Sequence, residues 1–593
     1  MRRSAWTTGA VVLAALSLGV AACGGSDDDG GSEGGNNTTN TDANTPPQEA
    51  KTGGKLTVLW TGDVDHIDCG QTYYQMGNFI CNATQKQLYN YMPDDGATMV
   101  PDLADGDPEV SEDGKTVTVK LKQGVKYSPP YEEEVTAADV KYAIERGFFS
   151  SVAAGFTQSY FSDLEGAKAN AKPGTEISGI TTPDDYTLVL KFKRAVGGVM
   201  ASGALAYGAT APVPKAYAEK FDAKTPSTYG ENQLATGPYM IENDASGKAI
   251  GYDPGKRIHL VRNPNWDKSL DFKPAYLDEI DNLQGNDDPG VASRRILTGE
   301  SMINGDFAPL PENLKDASEN RPDQLKLVPG NGGRWIALNT TIKPFDNLDV
   351  RKAVLAGFDR NALLLTRGGK LVGDMATHIL PPGMAGFEEA GGMEGQDLDF
   401  ISPDGSARPD VSAEYFKKAG YASGKYEGKE KILMVGSNAG VAAKTAEVAK
   451  EQLEKMGFNI QLRLVQHATM YTRYCNTPSA KVAICPNVGW IRDFADGQTM
   501  LSPTFAGKNI LEQGNSNWPQ LDVPEINDAI DKAELLPKEE RPAAWAEIDK
   551  MVTAQAGVVP WIWDKTPLIQ SANVNGVATQ ANAYWELAFT SLK

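Results

Sequence analysis

The chain has 593 residues, 41% of them hydrophobic, and its formal net charge is −20. Binding to nucleic acid requires clustered Lys and Arg, so this charge argues against a nucleic-acid partner, and we attribute it to solubility. A chain of this length is too long for a single hydrophobic core, and we therefore expect at least two lobes.

The first residues have the features of an export signal. Arg2 and Arg3 precede an apolar stretch at residues 11–20, which has signal-peptide length and is too short to cross a bilayer. The stretch ends in small residues directly before Cys23 (VAACG), a pattern similar to a bacterial lipobox. We predict a lipoprotein signal peptide at residues 1–22 and acylation of Cys23. An ordinary secretory leader, in which Cys23 has no role, is the alternative, and the Arg pair leaves twin-arginine export open.

Residues 23–53 are mostly Gly, Ser, Asp, Asn, Thr and Pro. This composition cannot bury enough apolar surface to offset the entropy of ordering, so we predict a disordered, acylated tether. The leader, anchor and tether together predict a protein on the extracytoplasmic face of the bacterial cell membrane, lipid-anchored through Cys23.

The first half of the body predicts strands and then a helix. Residues 55–60 (KLTVLW) predict a first strand, and residues 115–122 (KTVTVKLK) alternate apolar and polar side chains as a half-buried antiparallel strand does. Thr136 and Asp139 have the spacing of a capping box, and apolar residues at helical spacing follow them, which predicts a helix after Thr136.

The second half predicts α/β units. Residues 335–338 predict a strand and residues 350–365 a helix, and the preceding run at residues 330–333 (GNGG) is interpreted as a loop turn. Further on, a strand at residues 432–435 precedes a turn, a helix with a buried stripe from Ala442 to Met456, and a strand at residues 458–464. Because a strand–helix–strand unit of this length favours a parallel crossover, we expect an α/β sheet here.

Four cysteines besides Cys23 form two local pairs in a chain that we expect to be exported. We therefore predict the disulfides Cys69–Cys81 and Cys475–Cys485. The histidines are scattered singly, so we expect no metal site and no cofactor; they are His66, His259, His378 and His467. The sequence contains no HExxH, no GxSxG and no phosphate loop, which favours a protein that is not an enzyme.

A series of motifs runs through the chain: PDLA (101–104), EVSEDGKT (109–116), LKQGVKY (121–127), TAADVKY (136–142), ATGPY (235–239), LVRNPNW (260–266), DVRKA (349–353), GWIRDF (489–494) and VVP (558–560). In this order they resemble the family 5 extracellular solute-binding proteins, the dipeptide and oligopeptide receptors of ABC importers. The resemblance covers nearly the whole mature chain.

The resemblance implies an α/β, two-lobed periplasmic-binding-protein-like fold of type II, in the large class with an extra subdomain and a two-strand hinge. By comparison, lobe one would comprise residues 54–282 and 560–593, with the extra subdomain at about residues 89–206. Lobe two would comprise residues 283–559. The ligand would lie in the cleft between the lobes.

The resemblance also implies that the aspartate after the Gly-Trp motif, Asp493, holds the α-ammonium of a peptide ligand by a charge-assisted bond. Residues of the same motif would line the ligand in strand-like pairing: Trp490, Ile491, Arg492 and Phe494. Asp493 could instead be a loop carboxylate that pairs with Arg492. Asp496 is a second acidic candidate, for the ammonium or for a turn, and weaker candidates on the opposite wall are Asp65 and His66.

The predicted function is capture of peptides, in particular oligopeptides, and their delivery to the permease subunits of an ABC importer by a monomeric receptor. A receptor of the same fold for an oligosaccharide, a metal chelate or haem is the first alternative. A surface hydrolase or a signalling receptor is an alternative from a different class.

Overall fold

The computed structural model describes residues 50–593, except residues 73, 153 and 513. The predicted signal peptide, Cys23 and nearly all of the predicted tether lie outside the described residues. Among the described helices, none is both long enough and apolar enough to cross a bilayer.

The described residues form twenty strands in five sheets. The strands are β1 (Lys55–Leu59), β2 (Tyr89–Tyr91), β3 (Met99–Pro101), β4 (Glu109–Val110), β5 (Thr116–Lys120), β6 (Ile180–Asp184), β7 (Thr187–Lys191), β8 (Tyr239–Ile241), β9 (Tyr252–Asp253), β10 (Arg257–Arg262), β11 (Glu279–Leu283), β12 (Met302–Asn304), β13 (Leu325–Leu338), β14 (Gly373–Asp374), β15 (Lys431–Ser437), β16 (Asn459–Val465), β17 (Ile484–Ile491), β18 (Val558–Ile569), β19 (Val574–Asn575) and β20 (Ser591–Leu592).

Fifteen α-helices connect these strands in the same part of the chain. They are α1 (Gln75–Thr84), α2 (Ala137–Arg146), α3 (Gly155–Phe161), α4 (Gly197–Ser202), α5 (Lys215–Asp222), α6 (Pro289–Thr298), α7 (Pro311–Asn320), α8 (Leu348–Gly357), α9 (Arg360–Arg367), α10 (Pro409–Lys418), α11 (Gly440–Lys455), α12 (His467–Met470), α13 (Gln498–Phe505), α14 (Pro524–Ala533) and α15 (Arg541–Ala554).

Lobe one is built on a sheet with the strand order β12-β1-β11-β10-β8, and β9 pairs with β10. The predicted first strand, β1, lies between two parallel neighbours, β11 and β12. The core of this lobe combines Trp60 and Phe79 with Trp585 and Phe589 from the C-terminal segment. The two ends of the described chain therefore fold together, because their apolar side chains share one core.

A separate core lies between residues 88 and 234 and corresponds to the predicted extra subdomain. Its sheet has the order β4-β5-β7-β6, and Val117 and Val119 of β5 are fully buried, as their alternation predicted. The predicted capping box is formed at α2. The core extends past the boundary predicted at residue 206, because Tyr217 and Tyr229 also pack into it.

Lobe two is built on a sheet with the order β14-β18-β13-β17-β15-β16. Side chains alternate between its two faces, so Ile336 and Leu338 enter one core while Trp335 and Ala337 enter the other. The predicted strand–helix–strand unit is confirmed as β15, α11 and β16, with β15 parallel to β16.

Two antiparallel strands, β13 and β18, cross between the lobes. Val328 of β13 and Leu568 of β18 pack in the core of lobe one, whereas Ile336 and Trp561, farther along the same two strands, pack in lobe two. Their pairing is irregular between Pro329 and Gly333. The run at residues 330–333, interpreted from the sequence as a loop turn, is therefore an irregular segment inside a crossing strand.

The boundaries predicted for lobe two, residues 283 and 559, both lie too early in the chain. β12 pairs with β1, and Ile296 of α6 shares a core with Leu59, so the segment after residue 283 packs with lobe one. At the other end, Trp561 and Trp563 belong to the cores of lobe two. Judged by which core its side chains enter, lobe two begins near Pro329 of β13 and ends near Lys565, the residue of β18 that pairs with Pro329.

The single helix predicted at residues 350–365 is in fact two helices. α8 ends at Gly357 and α9 begins at Arg360. The break occurs because the Asp359 side chain accepts hydrogen bonds from the backbone N–H groups of Asn361 and Ala362 and so caps a new helix.

Candidate functional site

The candidate site lies where β17 ends. Both predicted disulfides are formed, and the Cys475–Cys485 bond ties the start of β17 to the segment that precedes it. β17 pairs with β13 as far as Ile491, opposite Gly332, but pairs with β15 only at Ile484. Within the described sheet, the other edge of residues 489–491 therefore has no strand partner.

Asp493 lies in the loop just after this strand, and its carboxylate is half-buried. Its Oδ2 accepts a hydrogen bond from the Tyr160 hydroxyl, and no described residue donates to Oδ1. No described Lys, Arg or His forms an ion pair with it, so burial raises the pKa of Asp493 to about 6 despite the bond from Tyr160. Among the residues that the structure describes, the carboxylate therefore has one oxygen without a donor and no counter-ion.

Arg492 does not pair with Asp493, which removes the alternative that the two residues form a local ion pair. Its guanidinium donates instead to the backbone oxygens of Gly383 in lobe two, and of Gly96 and Gln580 in lobe one. Burial lowers the pKa of Arg492 to about 10, because removing the guanidinium from water disfavours its charged form. Arg492 therefore connects the two lobes.

Phe494 is buried against the extra subdomain, although its loop belongs to lobe two. Its ring centroid lies 5.2 Å from that of Tyr160 and 6.4 Å from that of Tyr207. The Tyr207 hydroxyl donates a 3.1 Å hydrogen bond to the backbone oxygen of Asp493. Two tyrosines of the subdomain therefore contact Asp493: Tyr160 bonds to its carboxylate and Tyr207 to its backbone oxygen.

The remaining residues of the Gly-Trp motif have different environments. The Trp490 indole donates a 2.7 Å hydrogen bond to the backbone oxygen of Thr499, so Trp490 holds the loop in place and does not line the cavity described below. The Ile491 side chain is 47% exposed and does line it.

Asp496, the second acidic candidate, is instead paired within the protein. Arg541 donates to both of its carboxylate oxygens, at 2.6 and 2.9 Å, and both side chains are almost fully buried. The Asp496 carboxylate also accepts a hydrogen bond from the backbone N–H of Gln498. This is the turn contact that the sequence indicates as the alternative to ligand binding. This pairing leaves Asp496 outside the cavity.

The two weaker candidates, Asp65 and His66, are not part of the cavity wall. Asp65 accepts a hydrogen bond from the Thr72 hydroxyl, and His66 is exposed. Their neighbour Asp68 is buried in an ion pair with Arg146. The predicted opposite wall is therefore made by other residues.

A cavity of about 480 Å³ lies between the two lobes, within the usual range for ligand sites. Ile491, Arg492 and Asp493 form its lobe-two side, and Tyr207 of the subdomain lines it as well. Other residues that line it were not among the predicted site residues: Asp63, Asp306, Asn331 and Tyr584. They lie far apart in the chain and outside the family motifs, so no spacing in the sequence could have indicated that they meet.

Elsewhere in the described residues, no group of three or more His, Cys, Asp or Glu side chains is arranged to hold a metal ion. The polar side chains that line the cavity are carboxylates, tyrosine hydroxyls, amides and the Arg492 guanidinium.

Residues 98–512 match the family described as bacterial extracellular solute-binding proteins, family 5. The chain belongs to this family. Family 5 proteins bind solutes for ABC import outside the cytoplasm, and that role is the one that membership assigns to this chain.

Two relatives show how far this family 5 chain has diverged. The di/tripeptide-binding protein 3 of Pseudomonas aeruginosa is 25% identical over 455 residues, which covers 74% of this chain and 77% of the relative. The oligopeptide-binding protein OppA of Bacillus subtilis is 26% identical over 505 residues, covering 80% and 83%.

A solved structure shares the fold over nearly the whole length. The clavulanic acid biosynthesis oligopeptide binding protein 2 superposes with a TM-score of 0.79 at 25% identity. The superposition covers 91% of this family 5 chain and 96% of that protein. This agreement confirms the two-lobed type II fold.

Proposed function

We propose that this protein captures peptides in the interlobe cavity and delivers them to the permease of an ABC importer. The observation that carries the proposal is the Asp493 carboxylate, which lines the cavity, has no counter-ion among the described residues and keeps one oxygen free. An α-ammonium group is present at the start of every unmodified peptide and would supply the missing charge.

The free edge of β17 supports extended binding of the remaining peptide. Residues 489–491 pair with β13 on one side only, and the Ile491 side chain is exposed next to the cavity. A peptide that lies along this edge would gain main-chain hydrogen bonds, which do not depend on its sequence. We therefore propose oligopeptides as a class, with no single side chain required for binding.

The peptide proposal is tested by a thermodynamic cycle. Calorimetry compares Ala-Ala-Ala with its N-acetylated form on the native protein and on Asp493→Ala. On the native protein, acetylation should weaken binding by about 2–4 kcal/mol, and Asp493→Ala should weaken binding of the free peptide by a similar amount. Acetylation should have little further effect on the affinity of the Asp493→Ala variant. Glu312→Ala, which removes an exposed carboxylate of α7 away from the cavity, should bind like the native protein.

Equal affinity for the free and acetylated peptides would contradict the role of Asp493. Binding of a neutral oligosaccharide or of haem in place of peptides would favour the other receptors of this fold. We also propose that the protein is not an enzyme, and intact peptide recovered after prolonged incubation checks this.

We further propose that the protein is a monomeric lipoprotein anchored through Cys23, as its sequence indicates. Metabolic labelling with a fatty acid should mark the native protein and not Cys23→Ala. Equal labelling of the two, or no label on either, would contradict the anchor.

A further inference from the structure

The lobe-one wall of the cavity carries two carboxylates that no ion pair neutralises among the described residues. Asp306 accepts hydrogen bonds from the backbone N–H and hydroxyl of Thr61, at 2.8 and 2.6 Å. Asp63 accepts bonds from the backbone N–H of Gly255, at 2.7 Å, and from the Gln284 side chain, at 2.6 Å. These bonds fix the orientation of both carboxylates.

The hydroxyl of Tyr584 is a second, independent feature of this wall. Tyr584 is only 8% exposed and lines the cavity, yet its hydroxyl makes no hydrogen bond to any described residue. Its ring is held by Trp60, with stacked centroids 6.1 Å apart. Burial raises the pKa of Tyr584, and the charge of Asp306, which lines the same cavity, raises it further.

Asn331, in the crossing strand β13, adds an acceptor that lacks a donor among the described residues. Its Nδ2 donates to the backbone oxygens of Gln580 and Ala581, at 2.8 and 2.9 Å. This leaves Oδ1 directed away from those carbonyls, and Oδ1 has no hydrogen-bond donor among the described residues. Asn331 is 3% exposed and lines the same cavity.

Asp63, Asp306 and the Oδ1 of Asn331 therefore offer acceptors, and the ligand group that matches these three is one that donates. Ammonium and guanidinium groups have donors and no acceptor, and their positive charge complements a pair of carboxylates. Arg492 is the one cationic residue among the described residues that line the cavity; it is bonded to three backbone oxygens and does not contact these carboxylates.

We propose that Asp63, Asp306 and Tyr584 form a subsite for a second cationic group, so that the preferred ligands are peptides carrying a Lys or Arg side chain. This inference rests on the proposed capture of the α-ammonium by Asp493. It adds selection by ligand charge, which the free β17 edge alone does not give.

The test uses pairs of tripeptides that differ only in the ammonium group at the end of one side chain. Ala-Lys-Ala and Ala-Ala-Lys are each compared by calorimetry with the matching norleucine peptide, which has the same side chain without the charge. At least one Lys peptide should bind about 10-fold more tightly than its match. Asp306→Asn should reduce that advantage at least about 3-fold, and so should Asp63→Asn.

Glu312→Gln is the matched control, because it removes one exposed negative charge away from the cavity. It should leave the Lys advantage unchanged, whereas an equal loss in this variant would assign the preference to the overall charge and overturn the subsite. Tyr584→Phe keeps the ring and removes the hydroxyl that the subsite uses as an acceptor. It should therefore lower the affinity advantage of the Lys peptide over the norleucine peptide. This variant also tests the subsite if the Asp variants fail to fold.

The two proposals fail in different ways. If Lys and norleucine peptides bind equally while acetylation still weakens binding, the cationic subsite is wrong and Asp493 keeps its role. If acetylation has no effect on any peptide, the capture of the α-ammonium is wrong.

Discussion

The ring of Phe494 lies directly against the backbone of Gly203. A Cβ atom built on Gly203 would lie 2.3 Å from the ring, closer than any real contact. Gly203 belongs to the extra subdomain and Phe494 to lobe two, so this contact joins the lobes next to Asp493. The φ of Gly203 is 171°, an extended conformation that any residue adopts, so the constraint here is steric.

This contact gives a steric test of lobe closure. Gly203→Ala should clash with Phe494 and weaken Ala-Ala-Ala binding about 10-fold or more, because the lobes cannot approach fully. Calorimetry measures the affinity, and small-angle scattering the separation of the lobes.

The double variant Gly203→Ala, Phe494→Ala is the control for that test. Removing the ring makes room for the added methyl group, so the double variant should bind no worse than Phe494→Ala alone. Additive losses in the cycle would mean that Gly203 acts through the fold of the subdomain and not through this contact.

Asp493 should lower the stability of the protein at neutral pH. Its pKa in the folded state, about 6, lies above the usual 3.8, so the folded protein binds this proton more tightly than the unfolded chain does. Below about pH 4 the Asp493 carboxyl does not lower the free energy of unfolding. The loss of unfolding free energy grows as the pH rises to about 6 and is complete above that pH. At about 1.4 kcal/mol for each pKa unit, the cost is about 1–3 kcal/mol.

Asp493→Asn should therefore raise the free energy of unfolding by about 1–3 kcal/mol at pH 7.5, without ligand, and give almost no gain at pH 4. Urea unfolding across this pH range measures the difference. A gain that does not depend on pH would show that the carboxylate carries no such cost.

Arg492 should support binding of every peptide equally. Arg492→Lys keeps the charge but loses the planar fork that reaches three backbone oxygens in two lobes. We expect affinities for Ala-Ala-Ala and Ala-Lys-Ala to fall by a similar factor, about 10-fold, while the ratio between free and acetylated peptide stays unchanged. A collapse of that ratio would mean that Arg492 contacts the ligand terminus.

Asp496 should affect stability more than ligand selection. Asp496→Ala leaves Arg541 buried without its partner, which we expect to cost about 3–5 kcal/mol of unfolding free energy. Denaturant unfolding measures this cost, and calorimetry should still show discrimination against acetylated peptide. If the variant keeps its full stability but loses peptide affinity, Asp496 acts in ligand binding and this prediction is wrong.

Local patterns in the sequence were sufficient for much of the fold. The alternation around Val117 and Val119, the capping box at Thr136 and the strand–helix–strand unit that ends in β16 depend on neighbouring residues, and each is present. The break between α8 and α9 was missed because Asp359 within an apolar helical pattern can be either a helix residue or a cap, and only its bonds decide.

Short segments of the chain were enough to predict the family, the two disulfides and the acidic residue after the Gly-Trp motif, because each of these depends on a local pattern. Tertiary structure alone decided which carboxylates have partners: Asp496 meets Arg541, whereas Asp493 faces the cavity. It also brought Asp63, Asp306 and Tyr584 to one wall. Burial and pairing depend on side chains that lie from tens to hundreds of residues apart, and no local spacing records those contacts.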